Sequence, residues 1–206
     1  EFIPTLAEII NLKIEKAEAL AQGEDHYDAL IDEYEPNLSA DEISAMFKNL
    51  RPTLVELRRE VLSKEKPRAL TGNFDEKIQL QLANEIANAF GYDLNTGRID
   101  QAVHPFSSGS GDDVRITTRT DLSDPFNCIY STIHEVGHAT YEQNIQKDFI
   151  FSPLGRGVSL GVHESQSRIY ENQLGRSRPF TTFLFHRMRD LFGDFGIDDS
   201  EMFYKC

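Results

Sequence analysis

Three scarcities in the sequence narrow the class of protein. Its 206 residues include only two cysteines, Cys128 and Cys206, which is too few for a disulfide framework and typical of a reducing compartment, so we expect a cytoplasmic location. No apolar run approaches the ~20 residues of a membrane span, so we expect no membrane-embedded segment. Basic residues number 21 against 34 acidic ones, a net charge of −13, which argues against nucleic acid as a partner.

The composition is otherwise that of a folded chain, with 39% hydrophobic and 27% charged residues. The chain begins at Glu1 rather than at an initiator methionine, and it stops at Cys206 directly after an aromatic-rich segment. We therefore expect a fragment of a longer protein. The absence of a signal peptide carries little weight for such a chain.

Residues 1–91 are predicted to form a helical scaffold. One helix opens at Ser39, where Glu42 three residues later completes a capping box, and Pro52 either kinks this helix or begins another one. A further helix begins after Asp75. Apolar stripes at helical spacing normally make core contacts. The first stripe comprises Leu6, Ile9, Ile10, Ile14, Ala17 and Leu20.

Residues 92–122 differ from the scaffold because they are β-prone and partly alternating. The segments "GRIDQAVHPF" and "DVRITTRT" flank "SSGSGDD", which predicts a small antiparallel hairpin around a flexible turn. Residues 123–206 return to a helical pattern, with helices expected near 125–147, 159–175 and 179–192. The fold class is therefore mainly α with a small antiparallel β-hairpin or sheet.

The stretch "STIHEVGHATYEQN" (Ser131–Asn144) carries the clearest functional signal. Positions four apart lie on one face of an α-helix, so His134 and His138 can direct both imidazoles at one point, as two ligands of a tetrahedral zinc site. Glu135 lies beside them and can hold a water molecule and accept its proton, as the H-E-x-x-H pattern requires. The alternative is a polar helix that carries two histidines by chance.

A third ligand must come from elsewhere in the chain. A histidine six residues past His138 is excluded, because that position is Asn144. A glutamate from a later helix is the other known arrangement, and Glu164 in "GVHESQSRIYENQ" is the candidate. The intervening 26 residues leave room for the chain to turn back alongside the first helix. Glu171, two turns further along the same helix, is the competitor.

Substrate contacts are less well specified by the sequence. Arg115 and Arg119 alternate along "DVRITTR" and are predicted to share one face of a strand. They could receive an anionic peptide terminus or pair with acidic residues of the scaffold. His104, before Pro-Phe, and Arg156, in a glycine-bearing loop, are further candidates.

Four blocks in this order resemble the carboxypeptidase Taq family of metallocarboxypeptidases. They are "HPF" (His104–Phe106), "DVRIT" (Asp113–Thr117), "HEVGH" (His134–His138) and "HESQ" (His163–Gln166). The resemblance is strong over about residues 70–178 and covers the earlier helices as general architecture. It implies a helical metallopeptidase fold with a deep cleft, a small sheet on the cleft wall, and a homodimer.

By this resemblance, His134, His138 and Glu164 are the metal ligands and Glu135 is the general base. His104 gains a role in the cleft. The implied activity is metal-dependent removal of C-terminal amino acids from peptides, with zinc the expected ion and cobalt or manganese the alternatives. An endo-acting oligopeptidase and an inactive metal-binding remnant are the rival interpretations.

Family members are more than twice this long, and their two later motifs, including the arginine thought to bind the terminal carboxylate, are absent from this sequence. The isolated chain is therefore expected to hold only the metal and base half of the site.

Overall fold

The computed structural model describes residues 2–206, and the chain divides into two units. Residues 2–66 with 158–160 form the first unit, and residues 67–157 with 161–206 form the second. No helix among the described residues is both long enough and apolar enough to span a bilayer. The helices are α1 (Phe2–Ala21), α2 (His26–Asp32), α3 (Ala40–Leu62), α4 (Glu76–Ala89), α5 (Pro125–Gln143), α6 (Leu160–Arg168), α7 (Arg178–Phe192) and α8 (Ser200–Tyr204).

The first unit shows how local sequence signals set helix ends. Ser39 Oγ accepts a hydrogen bond from the backbone N–H of Glu42, and Glu42 Oε2 accepts one from the N–H of Ser39, at 2.9 Å for the second. The predicted capping box is confirmed. Helix α3 then runs through Pro52 to Leu62 without a break, so the proline lies inside one long helix.

The apolar stripes of this unit do not form the expected core contacts. In the first stripe only Ala17 is buried, whereas its five larger members, Leu6 to Leu20, are 39–50% exposed. Helix α3 has no buried residue at all. Helical periodicity is a local property of the sequence, but burial also requires a facing element. Among residues 2–206 the structure leaves these faces exposed.

The second unit is organised around α5, whose sides contribute to two hydrophobic clusters. Ile129 and Ile133 belong to the larger cluster, with side chains from α4, α7 and α8. Val136 and Ala139 belong to the smaller one, which includes Val114 and other residues of the sheet. All four of these α5 residues are fully buried. Because α5 is packed along both sides, the side chains on its remaining face are held in fixed positions.

The sheet has three strands in the order β1 (Ile99–Gln101), β3 (Asp113–Thr118) and β2 (Ser107–Ser110). The predicted small sheet is confirmed, but its pairing differs from the expected hairpin. β3 pairs antiparallel with β2, which lies in the stretch expected to be a flexible turn, and parallel with β1. Gly109 permits the antiparallel pairing of β2 with β3, because a Cβ there would lie 2.0 Å from the Asp113 carbonyl oxygen.

Helices α5 and α6 approach each other at Gly137, inside the H-E-x-x-H stretch. A Cβ on Gly137 would lie 2.6 Å from Ser167 Cα and 3.0 Å from the Gln166 carbonyl oxygen. These are backbone atoms of a helix, and they cannot move aside as a flexible side chain would. The glycine therefore sets the distance between the two helices that carry the candidate ligands.

We expect Gly137→Ala to destabilise the fold and to weaken metal binding together. The added methyl group overpacks a backbone contact, which typically costs about 1–3 kcal/mol. The measurements are the free energy of unfolding of the metal-free protein and the dissociation constant for zinc. If both stay at their original values, the approach of α5 and α6 at Gly137 does not set the geometry of the site.

Candidate metal centre

The candidate ligands converge in the second unit on one point. Their donor atoms, one from each of His134, His138 and Glu164, all lie within 4.8 Å of one another. Glu164 Oε2 is 3.2 Å from His138 Nε2 and 3.6 Å from His134 Nε2. Ligand atoms about 2.0–2.1 Å from a tetrahedral zinc ion are about 3.3 Å apart. Two imidazole nitrogens and one carboxylate oxygen at these separations fit a divalent ion with an open fourth position.

The competing carboxylate, Glu171, lies on the other side of the His134 ring. Its Oε2 is 3.0 Å from His134 Nδ1. A carboxylate only accepts hydrogen bonds, so this contact places the proton on Nδ1 and leaves the Nε2 lone pair directed at the convergence point. The structure therefore brings Glu164 to the side of the imidazoles where a metal would bind, and Glu171 to the side that orients His134.

Arg168 connects the two glutamates. Its Nε donates to Glu164 Oε1 at 2.8 Å, and its Nη1 donates to Glu171 Oε2 at 3.2 Å. Arg176 adds a bond to Glu171 Oε1 at 3.1 Å. With Oε1 of Glu164 held by Arg168, its Oε2 faces the histidines, where Ser167 Oγ also donates to it at 3.0 Å.

The electrostatics suit metal coordination by these groups. Burial lowers the pKa of His138 to about 4, and the neighbouring His163 and His134 add to the effect, so the imidazole is neutral at pH 7. Partial burial raises the pKa of Glu164, but hydrogen bonds from Ser167 and Arg168 together with His134 bring it below its ordinary value. A neutral imidazole and an ionised carboxylate are the protonation states that ligands require.

Glu135 lies on the same helix as the two histidines and is only 7% exposed. Its pKa is raised to about 7, chiefly by burial, while His134 opposes the shift and the negative charge of Glu164 adds to it. A carboxylate with such a pKa can both accept and release a proton near neutral pH.

Glu135 and His134 form part of the wall of a cleft of about 1020 Å³, which His104 and Arg119 also line. Arg115 lies outside this cleft on β3, where Asp113 binds it through two hydrogen bonds of 2.8 and 2.9 Å. The structure thus separates Arg115 from Arg119, although the alternating sequence pattern predicted that both share one face of a strand. The reason is that β3 ends at Thr118, one residue before Arg119. Arg156 is exposed and likewise lies outside the cleft.

The sequence interpretation missed two polar residues behind His138. His163 Nδ1 is 2.6 Å from His138 Nδ1, and His163 Nε2 is 2.8 Å from Glu142 Oε1. Glu142 follows His138 by four positions on α5, so helical spacing could have identified it. No local signal indicates the contact with His163, because it depends on the packing of α6 against α5.

The helical fold and the convergence of two histidines and a later glutamate are typical of metallopeptidases. The family model for the carboxypeptidase Taq (M32) metallopeptidases matches residues 1–206. The chain belongs to this family.

Individual relatives agree with the family match. The chain is 42% identical to thermostable carboxypeptidase 1 of Thermus thermophilus over 96% of its own length, and 40% identical to thermostable carboxypeptidase 1 of Pyrococcus furiosus over 92%. It spans 42% and 39% of the lengths of these relatives. The crystal structure of an M32 carboxypeptidase from Deinococcus radiodurans R1 covers 98% of this chain with a TM-score of 0.85 and 38% identity, and 41% of that chain is matched.

The ligand assignment predicts that the protein binds about one divalent ion and that His138→Ala abolishes this binding, because removal of one of three ligands leaves an incomplete site. Metal content after dialysis and zinc titration are the measurements. His186→Ala is the matched control, because His186 is an exposed histidine on α7 outside the cluster. Equal metal content in the His138→Ala protein would contradict the assignment.

Proposed function

We propose that the protein is a metal-dependent carboxypeptidase that removes amino acids from the C-terminus of peptides. The observation that carries this proposal is the buried Glu135, which lines a large cleft together with His134 of the cluster of two histidines and one glutamate. Relatives of the chain are named as carboxypeptidases, which supports the same chemistry. The chain spans about two-fifths of their length, so the proposal concerns the protein at its full natural length.

His134, His138 and Glu164 would hold the ion, for which zinc is expected and cobalt or manganese are alternatives, since two imidazoles and one carboxylate do not select zinc uniquely. When bound, the ion supplies Lewis-acid chemistry that activates a water molecule and polarises the scissile carbonyl. Glu171 keeps His134 in the tautomer with a free Nε2.

Glu135 is assigned as the general base of the reaction. Its carboxylate accepts the proton of the attacking water and then gives it to the nitrogen of the departing amino acid. The low exposure of Glu135 keeps competing water away from the carboxylate, and its position next to His134 places it at the cleft wall, where the peptide bond would lie.

Replacement of this carboxylate gives a direct test. Glu135→Gln keeps the size of the side chain but removes the proton acceptor, so we expect kcat to fall by several orders of magnitude while zinc affinity stays within a few-fold of its original value. Release of a C-terminal amino acid from a blocked dipeptide and zinc titration are the measurements. Near-normal activity would mean that another residue is the base, whereas loss of zinc would mean that Glu135 is itself a ligand.

An exopeptidase must also recognise the free terminal carboxylate of its substrate. Arg119 lines the cleft, and its Nη2 donates to the neutral Asn127 Oδ1 at 3.0 Å. The structure gives Arg119 no ion pair within residues 2–206, whereas Asp113 already neutralises Arg115. We therefore assign Arg119, with His104 on the same cleft wall, as the candidate contact for the anionic end of the peptide.

This assignment predicts that Arg119→Met raises KM for peptides with a free C-terminal carboxylate, with a loss in kcat/KM of about 10- to 100-fold, the value of a hydrogen bond to a charged group. Arg115→Met is the matched control and should leave KM nearly unchanged. Each variant is assayed with a peptide acid and with the corresponding C-terminal amide. An endo-acting oligopeptidase would cleave both peptides equally well before any substitution, which would contradict the exopeptidase proposal.

A further inference from the structure

Behind His138, on the side away from Glu164, three polar side chains form a hydrogen-bonded row. His138 Nδ1 contacts His163 Nδ1 at 2.6 Å, and His163 Nε2 contacts Glu142 Oε1 at 2.8 Å. The three side chains are only 15–21% exposed, so water competes little for these bonds. His134 has a carboxylate directly at its Nδ1, whereas His138 has a second imidazole there and reaches a carboxylate only through it.

The direction of each hydrogen bond in this row follows from the chemistry at its end. The carboxylate of Glu142 only accepts, so His163 must carry its proton on Nε2. In the tautomer with its proton on Nε2, His163 has a lone pair on Nδ1, and the short contact requires His138 to donate from its own Nδ1. The Nε2 of His138 is left with a free lone pair. Glu164 Oε2, 3.2 Å away, is also an acceptor, so the two atoms can face each other as ligands of one cation.

We propose that Glu142 and His163 are positioning residues that act in sequence to fix the tautomer of His138, so that its Nε2 is always available to a metal ion. The inference rests on the proposed metal site. Hydrogen-bonding partners of metal-bound histidines typically change metal affinity by about 10- to 100-fold. In this protein the partner of His138 is itself a group with two tautomers, and Glu142 is required to select the correct one.

The packing around His163 supports a fixed orientation of its ring. The ring lies between those of His138 and Tyr141, with centroids 4.7 and 4.8 Å away. Gly157 covers the edge of this arrangement, since a Cβ there would lie 2.9 Å from His163 Cδ2 and 3.3 Å from the Tyr141 ring. Only glycine leaves room for the imidazole, so the backbone and the two rings hold both of its nitrogens at their partners.

Two substitutions at position 163 separate hydrogen bonding from packing. His163→Asn keeps an acceptor oxygen near the position of Nδ1, whereas His163→Leu has a similar branched shape without an acceptor. Competition with a chelator, in the protein at its full natural length, gives the zinc dissociation constants. We expect His163→Leu to weaken zinc binding by about 10- to 100-fold and His163→Asn to recover most of that loss. Equal losses in both variants would show that packing against Tyr141 is the cause and would overturn the proposal.

The same comparison at position 142 tests the second step of the row. Glu142→Gln retains an oxygen that accepts from His163 Nε2 and should keep zinc affinity within a few-fold, whereas Glu142→Leu releases the tautomer of His163 and should weaken binding by about tenfold. The unfolding midpoints of the metal-free variants identify any that are misfolded. Equal zinc affinities of the Leu variant and the original protein would overturn the role of Glu142.

The protons can also be located without any substitution. Neutron diffraction from zinc-loaded crystals grown in heavy water should show deuterium on His163 Nε2 and His138 Nδ1. Deuterium on His163 Nδ1 would overturn the proposal, whatever the variants show.

Failure of the metal site itself is distinguishable, because His138→Ala would then retain zinc. If that variant loses zinc while the Leu variants at 142 and 163 keep it, the metal site stands and the row behind His138 has no positioning role.

Discussion

The approach of two helix backbones at Gly137 is the constraint on which the site depends. Because a Cβ on Gly137 would lie only 2.6 Å from Ser167 Cα, α6 lies as near to α5 as a glycine allows. Glu164 starts the same helical turn that ends at Ser167, so its carboxylate is brought within 3.2 Å of His138. A wider crossing would leave the two histidines as a pair without a third donor. The close approach of α5 and α6 therefore requires glycine at position 137 of the H-E-x-x-H stretch, just as metal binding requires the two histidines.

Charge balance around the cluster follows from the same crossing. The chain carries a large excess of acidic groups, yet the carboxylates of Glu164 and Glu171 are each bound by arginine. Arg168 bonds to Glu164 and to Glu171, and Arg176 bonds to Glu171 as well. Burial alone would raise the pKa of Glu171, but its hydrogen bonds with His134 and Arg176 and the charge of Arg168 hold it below its ordinary value. Hydrogen bonds and positive charges around the two glutamates therefore favour their ionised forms, and the oxygen of Glu164 that faces the histidines is directed at the candidate metal position.

Much of this arrangement could be predicted from the sequence, because it follows from short-range rules. Ser39 and Glu42 form their capping box, and Asp75 accepts hydrogen bonds from the first turn of α4. The spacing of His134 and His138 placed both on one face of α5. Features that depend on distant packing were not predictable in this way. The parallel pairing of β1 with β3, the exposure of the apolar stripe on α1 and the contact between His138 and His163 all depend on how separate elements pack, which no local pattern specifies.

The choice between Glu164 and Glu171 shows where the sequence stops being decisive. Seven residues are two turns of an α-helix, so spacing alone put both carboxylates on the same face. The helix changes its winding between them, because α6 ends at Arg168 and the segment Ile169–Leu174 is a π-helix. π-Helical turns are rare and often lie at functional sites. Here the wider turn carries Glu171, which contacts Nδ1 of His134 while Glu164 faces Nε2. The two glutamates look equivalent in the sequence but lie at opposite nitrogens of the His134 imidazole. Glu164, near Nε2, can share a metal ion with the ring, whereas Glu171, at Nδ1, can only orient the ring.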